Sequence, residues 1–514
     1  ASFCTLLAVP SAMGLLGSLL SSVMQLFGLV AYVLGFANVE LRRRMAVART
    51  YTQWKGAARL YDNARGFVQW RAVTADERLF NVKEVLERTN RLRSHVDSGD
   101  AAQLLQDLQY DFHRHMCGIH NPPLYTTYPS GTKIAVRELV STIVRACDTI
   151  KDSSTIPRQL KYDVLSHIQR AYGHSALVMS SNAALGAFQV GVVKALHESG
   201  ILPRVLFGSG SGAIIAAFAC CKRDFGGLFK ISDIDFSSFD RRGQRGSLSR
   251  KVKRLMNEGT LMDVSVLLQF AKDNLGEMTF AEAHKATGRV LNIHVETYHK
   301  DSKRCSSWLL NHLTAPDVLI YTAAVASCAT YGVYAPVDIL QRMPDGSVVQ
   351  CRPATLRWSA SLGGFHPNDA LGRMRSLFGI TNFIVSDASV SRLPFLTLSN
   401  GGVLAQTANF VMEEVWRAAA AISRLKPFQS RLTGVLQTYT TPIAGDVVVC
   451  PVQTLGDTLR LLRNPNQELL DYCMWRGEQA VWPHLERLRA HLVVEQALAE
   501  VIRSAEAPPH AGGA

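Results

Sequence analysis

An α/β fold, a largely parallel sheet with helices on both faces, is predicted by three observations. Ala176-Leu-Val-Met179 is an apolar run that enters a turn of small residues, Ser180 to Gly186, and leaves it as an apolar-periodic helix over Ala187 to His197. The same order then repeats. Ile201 to Phe207 holds the next strand, Gly208-Ser-Gly-Ser-Gly212 makes the turn, and an Ala-rich run to Cys221 continues as a helix with no breaker. Two strand–turn–helix units in succession call for parallel strands joined by crossovers. Third, Val290 to Val295, Phe383 to Val385 and residues 446–451 read as further short strands, and Thr279 with Glu282 forms a capping box that opens a helix.

Taken in order, the chain begins with an uncharged stretch from Ala1 to Val39. Met13 to Phe36 has about the length, roughly 20 residues, that crosses a bilayer core. Leu41-Arg-Arg-Arg44 follows at once, as a stop-transfer signal does. Residues 1–39 are therefore expected to be membrane-embedded, spanning or re-entrant. A signal peptide carries its charge before the apolar core, so that reading is disfavoured. Residues 40–170 read as a helical region. Leu104, Leu105, Leu108, Phe112 and Met116 form one amphipathic stripe, and Asn121-Pro-Pro123 and Pro129-Ser-Gly131 mark turns. His113, His115 and His120 lie close together but at no ligand spacing. Residues 171–400 hold the α/β domain. Residues 401–506 are expected to be a helical C-terminal extension with a final strand, including a helix from Phe410 to Leu425, and 507–514 a disordered tail.

Composition sets the bounds. The 514 residues suffice for more than one domain, and 47% apolar with 19% charged residues is close to globular norms. The formal charge of +13 favours anionic partners, with 40 Arg against 15 Lys. The densest basic run, Arg241, Arg242 and Arg245 with Lys251, Lys253 and Arg254, has no interleaved aromatics. Nucleic-acid binding is therefore not expected, and a solvated face or an anionic-lipid contact is preferred. The ten Cys show no C-x-x-C pair and no zinc spacing, so neither a metal nor a disulfide scaffold is expected. Cys220 and Cys221, inside an apolar run, are expected in the core.

The turn after the second strand nearly matches G-x-S-x-G, the motif that mounts a nucleophilic serine between strand and helix. With Gly208 and Gly212 as its flanking glycines, the nucleophile position is Gly210, and the hydroxyls stand one residue to either side, at Ser209 and Ser211.

At this point the chain resembles the patatin-like phospholipase and triacylglycerol lipase family, in the form with an N-terminal extension found on plant and yeast lipid droplets. The resemblance runs from about Tyr51 to about Arg503. It is carried by Trp54 with Ala57-Ala58, Gly173-His-Ser-Ala-Leu177, Leu185-Gly-Ala-Phe188 with Gly191-Val-Val-Lys194, and Leu202-Pro-Arg204. Thr279-Phe280, Thr287-Gly-Arg289, Ala326-Ser-Cys-Ala329, Asn382-Phe-Ile-Val-Ser386 and Gly445-Asp446 continue it in order. It implies a patatin-like sheet and a Ser–Asp dyad acting on acyl esters, with an oxyanion turn after the first strand.

Each implied part departs from the family pattern. The nucleophile falls on Gly210. The aspartate falls on Ala360, or on Leu362 if two residues are inserted, while Asp369 reads as a loop acid and Asp387-Ala-Ser389 as a decoy after a later strand. The oxyanion glycines fall within Ser181, Asn182 and Ala183. The reading that follows is a pseudoenzyme without cofactor or metal, a membrane-anchored structural or accessory subunit in contact with membrane lipids and other protein subunits of a larger assembly. The Arg bias and the absent initial Met suggest the mitochondrial inner membrane, with the endoplasmic reticulum or a lipid-droplet surface as the alternative. The competing reading is an active acyl hydrolase whose nucleophile has shifted to Ser209 or Ser211. A dinucleotide site on Gly208-x-Gly210-x-x-Ala213 lacks its acidic partner and is set aside.

Overall fold

The computed structural model describes residues 36–72, 78–110, 112–179, 186–224, 226, 247–299, 305–329, 333–351, 356–359, 367–388, 443, 445–451 and 467–506. The predicted membrane segment, the 410–425 helix and the C-terminal tail thus fall wholly or mostly outside them. Among the described residues no helix is long and apolar enough to cross a membrane.

The N-terminal region is helical for reasons visible in its caps. Thr50, Asn81 and Asp100 each accept a backbone N–H three residues on, opening helices Tyr51–Ala64, Val82–Ser98 and Ala101–Gln109. Gly99, left-handed at φ 70°, closes the second. Helices Ile134–Asp152 and Arg158–Tyr172 complete a core around Leu104, Leu108, Leu139, Ile143 and Leu165. The same core takes Ala490, Val494, Leu498 and Val501 from the last helix, Leu485–Glu506. The last helix is therefore part of the N-terminal core.

Among the described residues nine strands follow the helical region: β1 His174–Met179, β2 Val205–Gly208, β3 Val290–His299, β4 Cys305–Leu310, β5 Leu340–Arg342, β6 Val348–Gln350, β7 Leu356–Ser359, β8 Ile380–Ser386 and β9 Val447–Val449. The main sheet runs β4-β3-β2-β1-β8-β9, with β7 also on β3, and β5 pairs with β6 apart from it. β3, β2, β1, β8 and β9 are mutually parallel, while β4 and β7 lie antiparallel on the far end of β3. The sheet is thus mixed. β1 and β2 are buried along nearly their whole length, which is why they read as apolar runs without alternation.

Helices cover both faces. Ser211–Cys221, Val264–Leu275 and Ile320–Cys328 pack with Leu177, Leu206, Ile293 and Val295 on one side, where Cys220 and Cys221 are buried as expected. Helix Pro367–Phe378 covers Ala176, Val178, Phe207 and Phe383 on the other. Asp369 stands in the first turn of that helix, not in a loop, where a carboxylate suits the helix N-terminus. The capping box at Thr279 and Glu282 is present, with both reciprocal hydrogen bonds formed.

Candidate functional site

β2 ends at Gly208 and the chain turns within two residues into helix Ser211–Cys221. Three close approaches make that turn. A Cβ on Gly208 would stand 2.4 Å from the Ala213 Cα, one on Gly212 2.4 Å from the Met179 carbonyl oxygen, and one on Gly186 2.4 Å from the Ser211 Oγ. No side chain fits at Gly208 or Gly212 without moving backbone, which accounts for both flanking glycines of the motif.

Gly210 sits between them at φ 59° and ψ −130°. That conformation is open to glycine and costs a residue with a Cβ about 1–3 kcal/mol. The turn is held from beneath. Ser209 N–H donates to the Met179 carbonyl at 3.0 Å, and Gly210 N–H donates to Ser327 Oγ at 2.9 Å. Ser327 Oγ in turn donates to the His294 carbonyl of β3 at 2.7 Å. The elbow geometry is therefore retained, and the residue at its apex carries no hydroxyl. Gly210→Ser is expected to lower unfolding stability by about 1–3 kcal/mol in urea titration, because the hydroxyl brings a Cβ into the strained region.

The two neighbouring hydroxyls differ. Ser209 is 4% exposed, beneath the turn. Ser211 is the first residue of the helix, is half-buried, and lies against Gly186, the end of the turn that follows β1. Ser181, Asn182 and Ala183 of that turn, and Ala360 and Leu362 at the base position, lie outside the described residues. Ser359, the residue before Ala360, ends β7 directly opposite Glu296 of β3.

Two buried carboxylates stand at this edge of the sheet. Glu296 is fully buried, and Asp387 is 2% exposed at the end of β8, where its N–H donates to the Val449 carbonyl. Asp387 lies one residue beyond the Met179–Ser386 pair. Two strand spacings, about 10 Å, separate β8 from β2. Sequence reasoning set Asp387 aside as a decoy and missed Glu296. The signal for Glu296 was available in Asn292, His294 and Glu296, a polar row at period two in an otherwise apolar strand, all three buried.

Several family-like motifs resolve into structural contacts, one of them at the end of the elbow helix. Arg289 donates to the Ala219 and Lys222 carbonyls and Thr287 to the Cys220 carbonyl, so Thr287-Gly-Arg289 caps the C-terminus of the elbow helix. Asp446 accepts the Phe383 N–H at 2.8 Å and returns its own N–H to the Phe383 carbonyl, pinning β9 onto β8. Gly173, at φ 75°, lets Thr381 pack where a Cβ would stand 2.2 Å from its methyl group.

Comparison with known proteins agrees with this architecture. Residues 177–358 match the patatin-like phospholipase family, and residues 36–170 match a domain of unknown function, DUF3336. Triacylglycerol lipase SDP1L of Arabidopsis thaliana is 27% identical over 90% of this chain and 58% of its own length. Triacylglycerol lipase ptl3 of Schizosaccharomyces pombe is 26% identical over 89% of this chain and 95% of its own, and triacylglycerol lipase 5 of Saccharomyces cerevisiae 26% identical over 90% and 65%. Among solved structures, VipD from Legionella pneumophila overlaps 62% of the chain at 14% identity and a TM-score of 0.28, too low to bear on the fold.

These findings overturn the expectation that the chain is not an enzyme. Relatives across nearly the whole chain are named as lipases, so the family is an enzyme family. The chain carries a patatin-like phospholipase domain over residues 177–358, preceded by a DUF3336 domain over residues 36–170.

Proposed function

We propose that the chain hydrolyses acyl esters of water-insoluble lipids at a lipid surface, with Ser211 as nucleophile and a turnover well below that of an elbow with serine at its apex. Its relatives' names supply the substrate class, triacylglycerol, which does not dissolve and must be met at an interface. The observation that carries the reading is the placement of Ser211: half-buried, at the start of the elbow helix and against the end of the turn after β1. Ser209, beneath the turn, is disfavoured by its burial.

In the reaction, the Ser211 hydroxyl gives its proton to a carboxylate as Oγ bonds to the ester carbonyl carbon. The carbon–oxygen bond to the glyceride then breaks and the alcohol leaves with that proton. Water afterwards frees the fatty acid from the acyl-enzyme. The helix N-terminus beside Ser211 favours the negative charge on the carbonyl oxygen. Asp387 and Glu296 are the two carboxylates from which the base is drawn. A displacement of about 1 Å costs on the order of 100-fold, so a hydroxyl moved one residue from the apex predicts slow chemistry. The mitochondrial expectation is not carried further, since no relative's name points there.

Labelling the purified chain with a fluorophosphonate, followed by peptide mass spectrometry, tests this. The adduct is expected on Ser211, lost in Ser211→Ala and kept in Ser209→Ala, with ester hydrolysis falling in step. Asp387→Asn and Glu296→Gln separate the two bases. An adduct on no serine between residues 208 and 212, with hydrolysis unchanged in Ser211→Ala, overturns the reading.

A further inference from the structure

The mechanism makes no use of helix Ser247–Glu258, SLSRKVKRLMNE. Residues 241–254, which overlap its first two turns, contain seven basic residues and no acidic one. Leu248, Val252 and Leu255 recur at i, i+4 and i+7, the spacing of one helical face. Leu255 is 42% and Met256 81% exposed, and Lys253 is exposed beside them. No described element packs broadly on this helix. The helix carries no aromatic residue.

Its trailing end is tied down. Arg254 reaches Asp263 at 3.1 Å and Glu258 at 3.3 Å, and Met262 N–H donates to the Val333 carbonyl at 2.8 Å. Val333 lies six residues beyond Ser327, whose hydroxyl accepts the Gly210 N–H. Six residues reach at most about 20 Å, so the Met262–Val333 contact lies within that distance of Ser327.

We infer that helix Ser247–Glu258 is an interfacial anchor. It lies on an anionic lipid surface, with Leu255 and Met256 among the acyl chains and its lysines and arginines at the head groups, and it turns the elbow rim toward that surface. Exposed apolar residues on a helix rich in cations are the composition of a helix lying in a bilayer interface. Nucleic acid rewards the cations alone and offers nothing to Leu255 and Met256. The net charge of +13 on the whole chain draws it to the same kind of surface. The inference does not depend on turnover at Ser211, because fluorophosphonate labelling proceeds without vesicles.

The test is hydrogen–deuterium exchange of the full chain, read on peptides covering residues 247–258. Vesicles of phosphatidylcholine with phosphatidylglycerol are compared with phosphatidylcholine alone. Slowed exchange is expected with the anionic vesicles and not with the neutral ones. The slowing should disappear in Leu255→Glu/Met256→Glu. Each cation near an anionic surface contributes about 1 kcal/mol, so Lys251→Glu/Lys253→Glu should raise the lipid concentration needed at least about tenfold. Local exchange reads this helix alone, so attachment through another segment does not imitate the result. Equal slowing on both vesicles, or none on either, overturns the proposal. Slowing by polyglutamate in place of vesicles also overturns it, in favour of an acidic protein partner.

Discussion

Gly191→Ala is expected to destabilise the protein by roughly 3 kcal/mol or more, a large effect for one methyl group, because both sides of the contact are backbone. Helix Ala187–Glu198 crosses helix Gln467–Val481 at a pair of glycines. A Cβ on Gly191 would stand 1.9 Å from the Met474 carbonyl oxygen, and one on Gly477 1.9 Å from the Phe188 carbonyl oxygen. Neither neighbour is a flexible side chain, so the helices must part, and the Lys194–Glu478 ion pair at 2.7 Å would lengthen with them. Gly186 opens helix Ala187–Glu198 and touches Ser211, so the shift reaches the elbow. Urea denaturation measures the loss, and labelling at Ser211 should weaken in the same variant. Gly56→Ala is the control. It lies in helix Tyr51–Ala64 with nothing within 4 Å of the added Cβ. There the methyl group should stabilise by about 0.5–1 kcal/mol. Equal behaviour of the two variants would disprove the backbone contact.

The same pair marks the limit of what the chain discloses when read as text. Gly191 stood out within Gly191-Val-Val-Lys194, but its reason lies 286 residues away, at Gly477. Signals spent within a few residues were legible. Buried strands showed as apolar runs at β1 and β2, the capping box at Thr279 and Glu282, and the elbow as glycine between strand and helix. Signals that depend on pairing were not. β4 and β7 join β3 in antiparallel register, and nothing local in Leu356-Arg-Trp-Ser359 announces that partner. The burial of Asp387 at the end of β8 likewise depends on its place in the sheet. The final strand was predicted, whereas its seat beside β8 follows from Asp446 gripping Phe383 across 63 residues. Local propensity specifies the elements, and a few long-range polar and glycine contacts decide how they meet.

Of those contacts, Glu495 carries the largest electrostatic load, and Glu495→Ala is expected to cost about 3–5 kcal/mol by stranding a buried cation. Its carboxylate accepts Arg114 Nη2 at 3.0 Å, the Ser175 N–H at 2.9 Å and the Ser175 hydroxyl at 2.6 Å. Asn382 of β8 donates to that hydroxyl, and Arg114 also donates to Thr381 and to the Tyr172 and Gly173 carbonyls. One group thus ties the N-terminal helices, β1, β8 and the last helix together. Arg114→Met/Glu495→Ala removes both charges and should recover part of the loss, with a coupling of about 0.5–3 kcal/mol in a double-mutant cycle.

The pH dependence has two arms. Burial works against the Glu495 carboxylate, but the His174 ring at 3.7 Å, the Arg114 charge and hydrogen bonds from Ser175 outweigh it and hold its pKa below the usual 4.5. Its contribution is therefore complete above about pH 4.5 and is lost as pH falls through the lower folded value. His491 and His484 act earlier. Burial, with Arg114, Arg487 and the His115 and His120 rings around His491 and Arg487 beside His484, brings them from 6.5 down to about 3 and about 4. Both stay neutral when folded and take up protons on unfolding, so stability declines as pH drops below 6.5. Urea midpoints should fall from pH 6.5 downward in the parent chain and steepen below 4.5. In Arg114→Met/Glu495→Ala the upper arm should persist while the lower arm flattens. A lower arm of unchanged slope would remove Glu495 from its place as the acid-sensitive clasp between the two ends of the chain.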